Sequence, residues 1–136
     1  MDTMPPITMS SLDHQRLERL LESDAVQRMP GIDALAAEID RATVVRPQDV
    51  PPDVVTMNST IRFRDDSNGQ EFELTLVYPN DAGQPESISI LAPVGSALLG
   101  LSVGQSIAWQ VPGGRELDLR VLAVVRQPEA MGEFHR

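Results

Sequence analysis

The chain has 136 residues, of which 41% are apolar, a net charge of −9 and no cysteine. This length suits one domain, or a small domain with an appendage, and the lack of thiols excludes a disulfide framework and a thiolate metal site. All 11 basic residues other than histidine are arginines, which excludes a Schiff-base or P-loop lysine.

The charge pattern and hydropathy narrow the possible partners further. Neither half of the chain carries a basic stripe, which argues against direct nucleic-acid binding. No apolar run has the length of a membrane span, and Met1–Pro6 lacks the basic and apolar regions of a signal peptide. We therefore expect a cytoplasmic protein that has no membrane partner.

Residues 1–50 predict a short antiparallel helical hairpin. The first nine residues have the character of a frayed leader, because their two prolines discourage a helix. Ser10 or Ser11 is a suitable N-cap for a helix that runs to about Glu22, and a second helix is expected over Ile32–Ala42 after a proline–glycine connector. The apolar residues have helical spacing in both: Leu17, Leu20 and Leu21, then Ile32, Leu35, Ile39 and Ala42. Helices this short are marginal alone, so they should pack on each other and on the rest of the chain.

A proline-rich hinge, Arg46–Asp53, separates this hairpin from a second domain, residues 51–136. Beyond the hinge the apolar period changes from 3.6 to 2, which predicts two strands over residues 55–64 and 71–78, joined by a turn. The remainder predicts three further strands and one helix: Ser87–Leu91, Ser106–Val111 and Arg115–Arg126, with the helix at Ser96–Gly100. The expected fold class is therefore α+β, an antiparallel sheet with one short helix against it. Trp109 should pack in its core.

One stretch of the second domain carries a specific resemblance. Its residues are Ile88-Ser89, Pro93-Val94-Gly95, Ala97-Leu98-Leu99-Gly100, Val103-Gly104 and Pro112-Gly113-Gly114. In residue type and order they resemble the C-terminal domain of the Gre transcript-cleavage factors, over about residues 51–130. With a helical hairpin ahead of Asp53–Ser59, the full chain is identified as a member of the Rnk family of Gre-like regulators. The resemblance implies an FKBP-like fold of the Gre C-terminal type.

The resemblance also implies a partner and a docking segment. The partner is core RNA polymerase, bound at the rim of its secondary channel in competition with other channel-binding factors. The expected contacts are Ala92, Pro93, Val94, Gly95 and Leu98. An apolar, preformed turn loses little entropy on binding. A purely structural interpretation stays open for this region, in which Gly95, Gly100 and Gly104 supply turn geometry and Leu98 and Leu99 fill the core. On either interpretation we expect Leu99 to lie in the core.

Gre factors insert a long hairpin whose acidic tip helps to hold the catalytic Mg²⁺. The hairpin is much shorter here, and its end carries Glu22, Asp24 and Asp33 rather than a closely spaced acidic set. Because a carboxylate binds Mg²⁺ only at about 2 Å, we expect the channel to be occupied without transcript cleavage. On the structural interpretation, Asp24 is a solvated loop residue and Asp33 favours a helix N-terminus.

We expect no enzyme activity, catalytic residue, metal or cofactor. His14 and His135 lack neighbouring ligands, and Asp65–Gly69 lacks the ligand order of a calcium loop. An FKBP-like fold suggests prolyl isomerase activity, but the few aromatic residues fall mainly at core positions, and fold does not imply function. The expected role is regulation of elongation, which would change nucleoside diphosphate kinase levels indirectly. Two alternatives remain: direct regulation of that kinase, and an active Gre-type cleavage factor.

Overall fold

The computed structural model describes residues 6–110 and 116–133, and this part of the chain combines a helical region with a five-stranded sheet. The helices are α1 (Ser11–Leu21), α2 (Asp24–Gln27), α3 (Ile32–Arg41) and α4 (Pro93–Leu98). The strands are β1 (Thr8–Ser10), β2 (Thr43–Val45), β3 (Thr60–Asp65), β4 (Gln70–Val77), β5 (Ser87–Ser89), β6 (Ser106–Gln110) and β7 (Glu116–Arg126). Residues 1–5, 111–115 and 134–136 lie outside the described residues, and the motif residues Pro112–Gly114 are among them.

Helices α1 and α3 form the predicted hairpin. The side chain of Ser10 caps α1, because its Oγ accepts a hydrogen bond from the Asp13 amide at 3.0 Å. The buried positions agree with the predicted apolar stripes: Leu17 in α1, and Leu35 and Ile39 in α3. The connector contains the short helix α2, which the sequence did not predict and which forms because Val26 turns inward and is buried.

The predicted frayed leader is wrong for residues 7–9. Ile7 and Met9 are buried, at 2% and 0% exposure, and β1 pairs in parallel with β2. The Thr8 amide also donates to the Gly100 carbonyl at 3.1 Å. These residues are ordered because two apolar side chains enter the core and the backbone finds partners on both sides. Neither partner is near in sequence, so local propensity did not indicate the strand.

The sheet has the strand order β5–β4–β3–β7–β6. The β3–β4, β3–β7 and β6–β7 pairs are antiparallel, and β5 joins the edge beside β4 in parallel, with Val77 opposite Ser89. The α+β architecture is therefore confirmed, with one parallel edge strand added to the antiparallel sheet. Because β4 and β5 run in the same direction, the chain leaves both strands at the same end of the sheet.

The strand predicted over residues 55–64 begins only at Thr60. Val55, Thr56 and Met57 are buried in succession, so this segment has no exposed face. Asn58 adopts a left-handed conformation with φ of 67°, and the Thr56 amide donates to Ser59 Oγ at 3.0 Å, which closes a turn. The alternation in the sequence therefore indicated a strand where side-chain hydrogen bonds hold a turn.

A single cluster of buried side chains connects the helices with the sheet. Leu17, Leu35 and Ile39 of the hairpin belong to the same cluster as the inward side chains of the sheet and α4. Trp109 and Leu99 are buried in it, at 4% and 1% exposure, which confirms their predicted core role. The short helices are stable because this shared core supplies the burial that they lack alone.

The connection between the two parts is held by side chains. Pro47–Asp49 forms one turn of 3₁₀ helix, with an ion pair of 2.7 Å between Arg46 Nε and Asp49 Oδ2. Gln127 Nε2 donates to the carbonyls of Pro51 and Val54 at 2.8 and 2.7 Å. The division into residues 1–50 and 51–136 stays a prediction.

Gly95 lies where helix α4 crosses the end of β5. A Cβ at this position would overlap the carbonyl oxygen of Ser89 and approach Leu76 Cδ1 at 3.1 Å. We expect Gly95→Ala to lower the free energy of unfolding by about 2 kcal/mol, because overpacking moves the backbone. Urea denaturation measures the change.

Gly83→Ala is the matched control, because a Cβ there meets no atom within 4 Å. It should change the free energy of unfolding by less than about 0.5 kcal/mol. Equal effects of the two substitutions would contradict this role for Gly95.

Candidate functional site

The turn between β5 and α4 is held by a compact set of hydrogen bonds. The Ile90 amide donates to the Val77 carbonyl at 2.9 Å, which continues the pairing of β5 with β4. Ser96 Oγ then donates to the Ile90 carbonyl at 2.6 Å, and the Ala92 amide to the Ser89 carbonyl at 3.0 Å. Pro93 starts the helix, a position where its missing N–H and restricted φ carry no penalty. The backbone of this turn is therefore fixed before any partner arrives.

The structure divides the predicted contact residues into two groups. Ala92, Pro93 and Val94 are partly exposed and present an apolar surface. Gly95 is buried, and Leu98 is 0% exposed within the core. The side chain of Leu98 is buried in the core cluster together with its neighbours Ala97 and Leu99. Its expected contact with a partner is corrected to a core role.

The predicted acidic residues are all exposed near the end of the hairpin. Glu22 is the C-cap of α1, Asp24 starts α2 and Asp33 lies in the first turn of α3. Asp24 and Asp33 therefore occupy helix N-termini, where a negative charge is favoured. Across residues 6–110 and 116–133, no group of three or more His, Cys, Asp or Glu side chains is placed to hold a metal ion.

A buried carboxylate, Asp13, connects α1 with the sheet. Its side chain is 1% exposed, and Oδ2 accepts a hydrogen bond from the Met57 amide at 3.1 Å. Oδ1 accepts a second from the hydroxyl of Tyr78 at 3.3 Å. Both donors belong to residues 51–136, so this one side chain bonds across the predicted boundary.

Burial raises the pKa of Asp13 to about 7, and the negative charge of Glu129 acts in the same direction. The Met57 amide, the Tyr78 hydroxyl and the Arg16 guanidinium oppose this rise. Burial, followed by the Asp13 carboxylate, raises the pKa of Tyr78 above its ordinary value.

A second group of buried polar side chains, Thr56, Ser59 and Glu129, lies close enough to Asp13 for the charge of Glu129 to act on it. Thr56 Oγ1 donates to Glu129 Oε1 at 2.8 Å and also lies 2.8 Å from Ser59 Oγ. Glu129 comes from the 3₁₀ turn after β7 and is 9% exposed. The C-terminal turn, the residues before β3 and helix α1 thus meet in one region of buried polar groups.

Sequence reasoning did not identify Asp13, because an Asp in the first turn after a Ser cap is ordinary. One signal was present. Asp13, Leu17 and Leu20 are spaced four and three apart, so Asp13 continues the apolar face of α1. A carboxylate on a buried helical face needs donors from another element.

Comparisons with known proteins agree with the resemblance found in the sequence. The family model described as "Transcription elongation factor, GreA/GreB, C-term" matches residues 50–126, and "Rnk N-terminus" matches residues 5–45. The regulator of nucleoside diphosphate kinase of Escherichia coli (strain K12) is 47% identical over 131 residues, which cover 96% of each chain. The chain belongs to the Rnk family of Gre-like proteins.

Further relatives agree with this family assignment. A solved structure described as prokaryotic transcription elongation factor GreA/GreB from Nitrosomonas europaea is 56% identical, with a TM-score of 0.71, and covers 90% of this chain and 99% of that one. Transcription elongation factor GreA of Caldanaerobacter subterraneus is 33% identical over 96 residues, 70% of this chain and 60% of that protein. The family and fold expected from the residue pattern are confirmed. No helix within the described residues is both long and apolar enough to cross a bilayer.

The raised pKa of Asp13 predicts a specific pH dependence of stability. Since the folded pKa is about 7 and the ordinary value 3.8, the folded state holds this proton more tightly. The contribution of this tighter proton binding to the stability of the folded state is complete below about pH 4. It is lost as the pH rises through about 7. Relative to Asp13→Asn, the free energy of unfolding of the natural protein should therefore fall over this window, by at most about 1.4 kcal/mol per pH unit.

Urea denaturation at several pH values measures both curves. Asn keeps one oxygen as the acceptor for the Met57 amide, so the variant removes the titration and retains the shape. Asp33→Asn, an exposed site, is the control and should follow the natural protein. If the Asp13→Asn curve also runs parallel to that of the natural protein, Asp13 does not titrate in this window.

Proposed function

We propose that this protein docks on core RNA polymerase at the rim of the secondary channel and regulates transcription elongation without stimulating transcript cleavage. Its effect on nucleoside diphosphate kinase levels is then indirect, through transcription in the cytoplasm. The observation that carries the proposal is the preformed apolar turn Ala92–Val94 in a domain of the GreA/GreB C-terminal family. A fixed apolar turn binds with little loss of conformational entropy.

The helical hairpin supports the second half of the proposal. Helix α1 has 11 residues and α3 has 10, so each extends only about 15–17 Å. Much of that length packs in the shared core through Leu17, Leu35 and Ile39. The exposed carboxylates of the hairpin end sit on a short arm, and a carboxylate that stops short of a metal does not coordinate it. The protein therefore occupies the channel entrance and leaves the polymerase chemistry unassisted.

Direct regulation of nucleoside diphosphate kinase is the second candidate function. It is favoured by one observation, the name of the Escherichia coli relative that is 47% identical. Co-sedimentation of purified protein with that kinase, without polymerase present, separates the two functions. Binding to the kinase alone would favour the second candidate.

Pro93→Asp tests the docking turn. Pro93 is the first helical residue of α4 and Asp is well tolerated there, so the fold should be kept. The charge would meet an apolar partner surface, and we expect at least about a tenfold loss of affinity for core polymerase, which is more than 1.4 kcal/mol. Pull-down with core polymerase, competed by a Gre factor, measures it, and the melting temperature should not change.

Pro52→Asp is the matched control, because it makes the same substitution at an exposed proline of the connecting segment. It should bind as the natural protein does. Natural protein that neither binds core polymerase nor competes with a Gre factor would overturn the proposed function.

Transcript cleavage in stalled polymerase complexes tests the hairpin. Because the acidic residues lie on a short arm, we expect no stimulation of RNA hydrolysis at protein concentrations that saturate binding. A Gre factor in the same complexes is the positive control. Hydrolysis that depends on Glu22, Asp24 or Asp33 would show that the protein is a cleavage factor instead.

A further inference from the structure

A groove of about 520 Å³ runs between helix α1 and the chain that follows β4. Arg16, Arg19 and Leu20 form the helical wall, and the opposite wall begins at Tyr78 and Pro79. The groove is open to solvent rather than enclosed, and most of its surface is apolar. A small ligand is held best where most of its surface is buried, so this shape suits a segment of a protein better.

The charge in the groove is opposite to that of the whole protein. Arg16 and Arg19 are one helical turn apart and face one carboxylate, Asp81, whereas the chain has a net charge of −9. Several other arginines of the described residues form ion pairs, as Arg41 does with Glu38. Among residues 6–110 and 116–133, Arg19 forms no ion pair. Its guanidinium is therefore available to an external carboxylate.

The two walls of the groove are connected by hydrogen bonds. The Arg16 guanidinium bonds to the hydroxyl of Tyr78, and that hydroxyl donates to Asp13 Oδ1 at 3.3 Å. Arg16 is thus held in place by a residue of the sheet domain. A positioned guanidinium loses less entropy when it binds an anion than a freely rotating one does.

The groove and the turn that we propose as the docking site both begin where β4 and β5 end. Strands β4 and β5 are parallel, with Val77 opposite Ser89, so the chain leaves the sheet at the same end through Tyr78 and through Ile90. The hydrogen bond from the Ile90 amide to the Val77 carbonyl, at 2.9 Å, keeps the two segments together at that end. From there the segment after β4 leads to the groove, and the segment after β5 leads to Pro93.

We propose that this groove binds an acidic segment of the protein on which the turn docks. A carboxylate of that segment lies against Arg16 and Arg19, and an apolar side chain covers Leu20 and the Tyr78–Pro79 wall. The inference rests on the proposed function and adds a second, electrostatic contact to it. Because one wall belongs to α1 and the other to the sheet domain, a bound segment contacts both parts of the protein while the turn is docked.

Arg19→Glu tests the electrostatic contact. Arg19 is exposed near the end of α1, and Glu is a good helix former, so the helix should be kept. We expect the affinity for core polymerase to fall at least tenfold, and the salt dependence of binding to weaken. Arg19→Gln, which removes the charge without reversing it, should show a smaller loss and guards against a folding defect.

Arg28→Glu is the matched control, because it makes the same charge change at an exposed site of the same hairpin outside the groove. It should bind within about twofold of the natural protein, since an exposed charge away from the contact is screened. Equal losses for the Arg19 and Arg28 variants would overturn the inference and reduce it to a general charge effect.

Photo-cross-linking identifies the segment itself. A photoreactive amino acid at Asn80, an exposed residue of the groove, should link to polymerase peptides rich in Asp and Glu. Cross-links to peptides without an acidic excess would contradict the inference.

The outcomes separate the two proposals. If the natural protein does not bind core polymerase, both fall. If Pro93→Asp abolishes binding while Arg19→Glu behaves as Arg28→Glu does, the proposed function stands and the groove inference fails.

Discussion

The carboxylate of Asp13 connects the helical hairpin with the sheet inside a shared apolar core. A buried carboxylate requires hydrogen-bond donors, and those available to it are the Met57 amide and the Tyr78 hydroxyl. Both belong to the other part of the chain, so the requirement is met only when α1 lies on the sheet. Because α1 and α3 are too short to be stable alone, this placement and the core around Leu17 also maintain the helices themselves.

The same placement gives the proposed docking surface its shape. Hydrogen bonds of Ser96 and Ile90 hold the turn Ala92–Val94. The turn follows β5 at the end of the sheet where Tyr78 follows β4. Tyr78 bonds with Asp13 and Arg16, so the buried link and the arginine groove share one residue. An anion bound in the groove would therefore contact Arg16, which bonds to the same tyrosine that positions the hairpin. In the function that we propose, this is how a short hairpin contributes to docking without reaching a distant metal.

Much of the local structure was predictable, because its signals are local. Ser10 capped α1 as predicted, α3 begins at Ile32 as predicted, and Trp109 and Leu99 are in the core. The errors involve partners distant in sequence. Strand β1 exists because it pairs with β2 and contacts Gly100, and the 55–59 segment is a turn because Ser59 bonds back to Thr56. The motif groups Leu98 with the partly exposed Ala92–Val94, but its side chain is buried in the core.

The sequence by itself determined the family, the α+β class, the hairpin and the apolar composition of the turn that we propose for docking. These depend on residue order and on periodicity, which are properties of a single segment. Only the tertiary structure decided which residues of the turn are accessible, that Asp13 is buried, and that Arg16 and Arg19 face Tyr78 across a groove. Exposure, pKa and charge complementarity depend on groups brought together from separate elements. No single stretch of the chain contains that information.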